Sequence, residues 1–337
     1  MKHFLLLILV LLFLTPVFAQ DNPLLTLVSE TPVVEHGPRD AWDGVFTDPG
    51  AVLYYEGAFH MFRNGFRTWP GEVQIGYLTS TDGITWDEPM EEPVLRSVDV
   101  SFTGLAALAS SVVVTDDERW MLYFYTWDSR SFSGPGVIGR AVADSPLGPW
   151  TIDPGPVLSL GNSGSWDDQQ VLGPRVLPTD TGYVMYYTGY SDSRLSSAIG
   201  MATSVDGLTW VKYNNPTTGG AFAESDPVFI TDDPERTVQH VTPMRTPHGW
   251  AFLYRSSQAN RPDATMEVRY ALSEDGVTWQ TNPQNVLLGS RDMPRGSGYW
   301  WMAGTHVDDT YYLFVESGSM GGTNIYLTTY QGELMID

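Results

Sequence analysis

Cysteine is absent from all 337 residues. That rules out a disulfide framework, a thiolate metal cluster and a lipid anchor on a processed N-terminus, so stability must come from a packed core. Basic residues are scarce: 18 Lys and Arg stand against 40 Asp and Glu, a formal charge of −22. Such a surface argues against nucleic acid or an anionic membrane as partner and suits a neutral substrate. Long apolar runs are also few. Phe4–Leu14 is too short for a confident membrane span; with Lys2 before it and Val17-Phe18-Ala19 after it, it reads as a secretory signal. Cleavage is expected before Gln20, leaving residues 20–337 as one soluble domain, secreted or periplasmic. No segment keeps a helical period, and no phosphate loop, dinucleotide fingerprint or His-Glu-x-x-His occurs, so no cofactor is implied. Thr115-Asp116-Asp117 and Thr231-Asp232-Asp233 lack a full calcium-loop spacing and read as hairpin turns; no metal ligands are assigned.

What is present is aromatic and repetitive. There are 12 Trp and 17 Tyr, which suits β structure or an aromatic-lined site. Ser80–Trp86 reads Ser-Thr-Asp-Gly-Ile-Thr-Trp and returns at Ser204–Trp210 and Ser273–Trp279, with a degraded copy at Ala143–Trp150. The tryptophans recur about every 60 to 70 residues, which marks a repeat array. Asp-Gly is a tight-turn pair: Asp bonds nearby backbone and Gly accepts a left-handed conformation. A feature shared by every repeat belongs to the fold, so Asp82, Asp206 and Asp275 are assigned to structure.

Between these turns lie short alternating strands, four to a unit. Val52–Tyr55, Phe59–Phe62, Gln74–Thr79 and Pro93–Leu95 form the first set, and three more sets follow the same plan. A fifth begins near Ala303 and lacks its last strand, while Thr31–Val34 is an orphan resembling the missing one. The expected fold is all-β: a five-bladed β-propeller of four-stranded antiparallel blades, closed by the N-terminal strand.

The turn motif, the strand pair around Gly57-Ala58-Phe59-His60-Met61-Phe62 and the strand Gly182–Gly189 resemble the five-bladed propeller glycoside hydrolases, among them arabinanases, xylosidases and invertases. The resemblance covers nearly the whole chain after the signal. It implies hydrolysis of O-glycosidic bonds in an oligo- or polysaccharide, with a carboxylate as base or nucleophile at the start of the first inner strand, where Asp48-Pro49-Gly50 stands. Asp-Pro-Gly is equally a good turn. The family's general acid would fall at Leu172, two residues before Pro174, and its supporting acid near Ser110 or Ser111; neither place is acidic. Glycosidic cleavage needs two carboxyls flanking the bond. The chain is therefore a divergent hydrolase with a relocated acid, or a propeller that binds sugar without cutting it.

The repeat places Asp48 with Ser110, Leu172, His240 and Trp300. Arg63-Asn64 then matches Tyr187-Thr188, Arg255-Ser256 and Val315-Glu316. Candidates for the acid are Glu316, in an apolar strand where burial would keep it protonated, Asp128 and His240. Each has a plain alternative: a rim salt bridge for Glu316, a solvated loop for Asp128, a structural role for His240. Candidate substrate-binding residues are Arg63, Asn64, Trp127, Tyr190, Arg255 and the pair Trp300-Trp301, of which only one can face the pocket because strand side chains alternate. Trp69 offers a further flat ring. Asp43 and Asp167 each follow a Trp at matching offsets and are assigned to structure.

Overall fold

The computed structural model describes residues 24–128, 135–191, 194–231, 233, 235–258, 266–294, 299–319 and 321–335. The signal segment 1–19 lies outside them, as does Asp232. After β1 (Thr26–Leu27), blade 1 comprises β2 (Phe46–Tyr55), β3 (Ala58–Phe66), β4 (Val73–Ser80) and β5 (Leu95–Arg96). Blade 2 comprises β6 (Ala106–Val114), β7 (Trp120–Trp127), β8 (Ile138–Ala143) and β9 (Thr151–Ile152). Blade 3 comprises β10 (Gln170–Thr179), β11 (Gly182–Ser191), β12 (Arg194–Ser204) and β13 (Val211–Lys212), with β14 (Pro227–Phe229) also paired to β12. Blade 4 comprises β15 (Arg236–Thr246), β16 (Gly249–Gln258), β17 (Glu267–Ser273) and β18 (Gln280–Gly289). Blade 5 takes β19 (Tyr299–Val307), β20 (Thr310–Ser319) and β21 (Gly322–Gln331), and β1 completes it. All pairings between strands within these sheets are antiparallel. The expected five-bladed propeller is the observed fold.

The repeated turn shows why the blades close into a ring. Asp82 Oδ1 accepts the backbone N–H groups of Ile84 (2.8 Å) and Thr85 (2.7 Å), and Ser80 Oγ accepts that of Gly83 (2.8 Å). Asp206 and Asp275 repeat these bonds. The amide bonds hold all three carboxyls below their ordinary range. Each motif tryptophan then packs on a second-strand aromatic ring of the blade before it. Trp86 meets Phe314 at 5.5 Å, Trp150 meets Phe62 at 5.5 Å, Trp210 meets Tyr123 at 6.0 Å and Trp279 meets Tyr186 at 5.9 Å. Tyr123 and Tyr186 also donate to the motif carbonyls of Gly207 (2.8 Å) and Gly276 (2.9 Å). One local sequence thus makes both a turn and an interblade contact.

Closure by the N-terminal segment is also observed, with a shifted register. The pairing strand is Thr26–Leu27, opposite Thr328–Thr329, rather than Thr31–Val34. Val33 and Val34 still bond Ile325, but only as an isolated bridge. Pro32, which has no N–H, cannot continue a ladder there. Removing residues 20–36 should expose the edge of β21 and lower the melting temperature by about 5 °C or more. Unchanged melting of that deletion variant would contradict closure.

Candidate functional site

The inner and second strands of the five blades share one register. Ala51 pairs with Phe62, Ser111 with Tyr123, Arg175 with Tyr186, Thr242 with Leu253 and Ala303 with Phe314. Two residues farther along each second strand stand Asn64, Tyr125, Thr188, Arg255 and Glu316. This set unites three of the sequence candidates and corrects the alignment in blade 4, where Tyr254-Arg255, not Arg255-Ser256, matches Arg63-Asn64. Tyr125 is the member that the sequence pattern does not mark, because the β6–β7 turn is longer than its counterparts.

Each inner strand is bulged just before this level, between Asp48 and Ala51, Ala109 and Ser111, Leu172 and Arg175, Gln239 and Thr242, and Tyr299 and Met302. A bulge re-aims the side chains beside it. In blade 1 it needs glycine: Gly50 has φ +48, and a Cβ there would lie 2.1 Å from Phe62 O. Asp48, 3% exposed, turns inward from this bulge. Its Oδ1 accepts the Gly50 N–H (2.8 Å) and Asn64 Nδ2 (2.9 Å). The turn alternative for Asp-Pro-Gly therefore describes one oxygen of the carboxyl.

Glu316, 5% exposed, faces the same interior from blade 5. Its Oε1 accepts Thr323 Oγ1 at 2.8 Å. Burial raises the pKa of both carboxyls above the ordinary range, and the charge of Asp48 raises Glu316 further. Hydrogen bonds from Gly50 and Asn64 and the charge of Arg175 pull Asp48 back, as Thr323, Arg255 and the Trp301 N–H pull Glu316 back. Tyr125, buried beside both, is raised well above its ordinary value by burial. Arg255 is the cation that tempers Glu316; it donates to Trp300 O (2.5 Å) and to Gln239 Oε1.

His240 occupies the bulge of blade 4 with φ +51, a left-handed conformation uncommon for a non-glycine residue. Its Nδ1 is buried with no partner among the described residues, and burial followed by Arg255 and Arg175 holds the ring neutral. Trp301 is the member of its pair that reaches the axis. Its ring is 4.3 Å from His240 and 5.6 Å from Tyr125, and Nε1 donates to Gly50 O at 3.3 Å. Trp300 is half-buried and packs into the core shared by blades 4 and 5.

Several candidates stand elsewhere. Arg63 turns to the flank of blade 1, where it bonds Asp43 (2.5 Å) and Glu88 (2.6 Å) and lies over Trp42. Alternation along β3 sends it away from Asn64. Asn64 spends its amide on Asp48, on Ala109 O (3.1 Å) and on the Ala109 N–H (2.8 Å), so it is a positioning residue rather than a sugar ligand. Asp128 is exposed and caps the Gly104 N–H (2.7 Å). Tyr190 is half-buried opposite Gln170 at the end of β11, and Trp127 packs on Trp69 at 5.4 Å. Asp43 and Asp167 are structural as expected: Asp167 takes Lys212 (2.6 Å) and Tyr187 OH (3.1 Å) beneath Trp166. Thr115 Oγ1 donates to Asp117 in the β6–β7 turn, and among the described residues no cluster of three acidic or histidine side chains could hold a metal ion. A cleft of about 850 Å³ on the blade 1 flank and one of about 290 Å³ farther along the axis are lined by neither Asp48 nor Glu316.

No family model matches the chain. A sucrose-6-phosphate hydrolase of Bacillus subtilis is 27% identical over 183 residues, 53% of this chain and 36% of that relative's own length. Solved structures share the fold along nearly the whole chain. A member of the GH130 family, described as containing glycoside hydrolases that target β-1,2 mannosidic linkages in Candida mannan, has a TM-score of 0.67 at 16% identity, covering 93% of this chain and 95% of its own. A thermostable family-43 glycoside hydrolase gives 0.62 at 15%, covering 90% and 93%. Zg3597, a family 117 glycoside hydrolase from Zobellia galactanivorans, gives 0.61 at 16%, covering 91% of each.

The raised carboxyls carry a stability signature. Folded Glu316 holds a proton that the unfolded chain releases near pH 4, so its contribution falls as pH rises from there through its folded value. Glu316→Gln stays neutral throughout. Its melting temperature relative to wild type should climb between pH 4 and pH 8; a difference independent of pH would contradict the burial of a protonated Glu316.

Proposed function

We propose that this protein is a glycoside hydrolase acting on an oligo- or polysaccharide, with Asp48 as base or nucleophile and Glu316 as general acid. The observation that carries this reading is the placement of two buried carboxyls at one interior, on neighbouring blades, both pushed by burial toward the protonated form. Glycosidic cleavage needs such a pair, one donating to the leaving oxygen and one charged on the other side. Glu316, kept protonated by burial, suits the first role; Asp48, beside Arg175 and Asn64, suits the second. Asn64 orients Asp48, Thr323 orients Glu316, and Trp301 packs between His240 and Tyr125 beside them. The fold shared with solved glycoside hydrolases and the partial match to a sucrose-6-phosphate hydrolase support the substrate class. The proposed setting is outside the cytoplasm, after removal of residues 1–19.

A sugar-binding propeller without turnover is the competing reading. It is favoured by Leu172 in blade 3 and by Ser110 and Ser111 in blade 2, where the resemblance implies acids. One experiment separates the two. Arabino-, xylo-, fructo- and manno-oligosaccharides are incubated with the wild type, Asp48→Asn and Glu316→Gln, and released reducing sugar and binding are both measured. The enzyme reading expects release by the wild type and a loss of about two to four orders of magnitude in each variant, with binding retained by Asp48→Asn. Binding without release by the wild type would establish the competing reading. Release unaffected by Asp48→Asn would remove Asp48 from the mechanism.

A further inference from the structure

Arg175 is buried and no part of the carboxyl pair, yet every other blade contacts it. It stands on β10 at the level where the other inner strands carry Ala51, Ser111, Thr242 and Ala303. Those four side chains are small, and the space they leave at the axis is taken by one guanidinium. Nη1 donates to Gly50 O (3.0 Å) and to Ser110 O, Nη2 to Met302 O (2.5 Å) and Nε to Val241 O (3.2 Å). Each acceptor is the residue just before the small one, so the same carbonyl is taken from blades 1, 2, 4 and 5. Three of the four acceptors, Gly50, Ser110 and Val241, lie inside the bulges, and Met302 follows the fifth directly.

The blade 1 contact reaches the reacting end of the site. Gly50 gives its carbonyl to Arg175 and its N–H to Asp48 Oδ1 (2.8 Å), so one residue links the guanidinium to the carboxyl. Arg175 also lies under the Trp301 ring, 5.4 Å from its centroid. Arg255, the other cation here, is half-buried, bonds Trp300 O and Gln239, and serves the Glu316 side.

We propose that Arg175 is a positioning residue of this site: by binding one main-chain carbonyl from each of the other four blades it fixes the bulge that presents Asp48, and it sets a permanent positive charge on the Asp48 side of the carboxyl pair. Its relevance to turnover rests on the reading of Asp48 and Glu316 as the working pair. A lysine could not replace it, because an ammonium on a flexible stem reaches fewer carbonyls than a planar fork. The other titratable groups that act on Asp48 and Glu316 are Tyr125, which burial keeps neutral, and Arg255; His240, also kept neutral by burial, packs beside them on Trp301. Among the described residues, the fixed charge acting on Asp48 is thus the guanidinium of Arg175.

Carbon-13 labelling allows the Asp48 and Glu316 carboxyls to be titrated by NMR without substrate. In Arg175→Met, Asp48 should ionise about one pH unit or more above wild type, and Glu316 at lower pH than in wild type. In Arg175→Lys, the charge is kept and Asp48 should titrate near its wild-type value, while kcat falls about tenfold or more with KM little changed. An Arg175→Met protein that folds with the wild-type Asp48 titration overturns the proposal. If Arg175→Met does not fold, Arg175→Ala decides it: low guanidinium should restore its melting temperature where ammonium and sodium do not, and equal behaviour in all three salts overturns the proposal. A wild type that hydrolyses no glycan would sink the proposed function, yet leave these substrate-free measurements to judge Arg175.

Discussion

The guanidinium of Arg175 crosses the axis of the ring, and the rest of the centre is arranged around it. Taking one ion out of water costs several kcal/mol. Four carbonyl acceptors, each bond to a charged donor worth about 1.5 to 3 kcal/mol, offset that cost only while all four blades stand in place. Burial pushes the arginine down only to about 10, so it remains a cation at neutral pH. Ser111 adds a second tie, exchanging hydrogen bonds with Val176 across blades 2 and 3 (2.9 and 3.3 Å). On the outside, the motif tryptophans perform the same service with apolar surface. The ring is therefore held twice, by a polar hub at the centre and by repeated aromatic contacts between neighbouring blades.

The electrostatics of the site follow from that closure. Water is nearly excluded from Asp48 and Glu316, which disfavours their charged forms and holds both protons beyond the ordinary carboxylate range. Each carboxyl is then tempered by its own partners. Asp48 has two hydrogen-bond donors and Arg175; Glu316 has a hydroxyl, Arg255 and the backbone N–H of Trp301. The arrangement opposes stability above pH 4, since the unfolded chain ionises both groups freely. The left-handed His240 adds strain at the same place. Costs gathered at one interior, in a fold otherwise built of satisfied turns, are what a functional site looks like in physical terms.

Much of this was legible in the sequence. The seven-residue turn gave the period and the structural role of Asp82, Asp206 and Asp275, because local side-chain-to-backbone bonds need no tertiary knowledge; the count of five came from the repeated strand sets. Asp48 and Glu316 could be singled out because one precedes a bulge-forming Pro-Gly and the other ends an apolar run. Arg63 and Arg175 were not legible. Strand alternation says that Arg63 and Asn64 face opposite ways, but not which way leads to the axis. Arg175 reads as an ordinary strand residue beside Pro174, and its acceptors lie 65 to 127 residues away. Tyr125 was hidden because the β6–β7 turn is longer than its counterparts, which blurs the count along β7. The closing strand lies several residues earlier than expected because Thr31–Val34 looks like its counterparts and Thr26–Leu27 does not.

The central claim is that a glycosidic bond is held between Asp48 and Glu316 at the axis of the ring. A crystal structure of the Asp48→Asn variant with an oligosaccharide bound, chosen from those the wild type hydrolyses or binds, tests it most directly. The glycosidic oxygen is expected within hydrogen-bond reach of Glu316, with the substituted amide at position 48 on the opposite side of the sugar and Trp301 against it. An oligosaccharide seated instead in the cleft on the blade 1 flank, with the axial carboxyls untouched, would contradict the account.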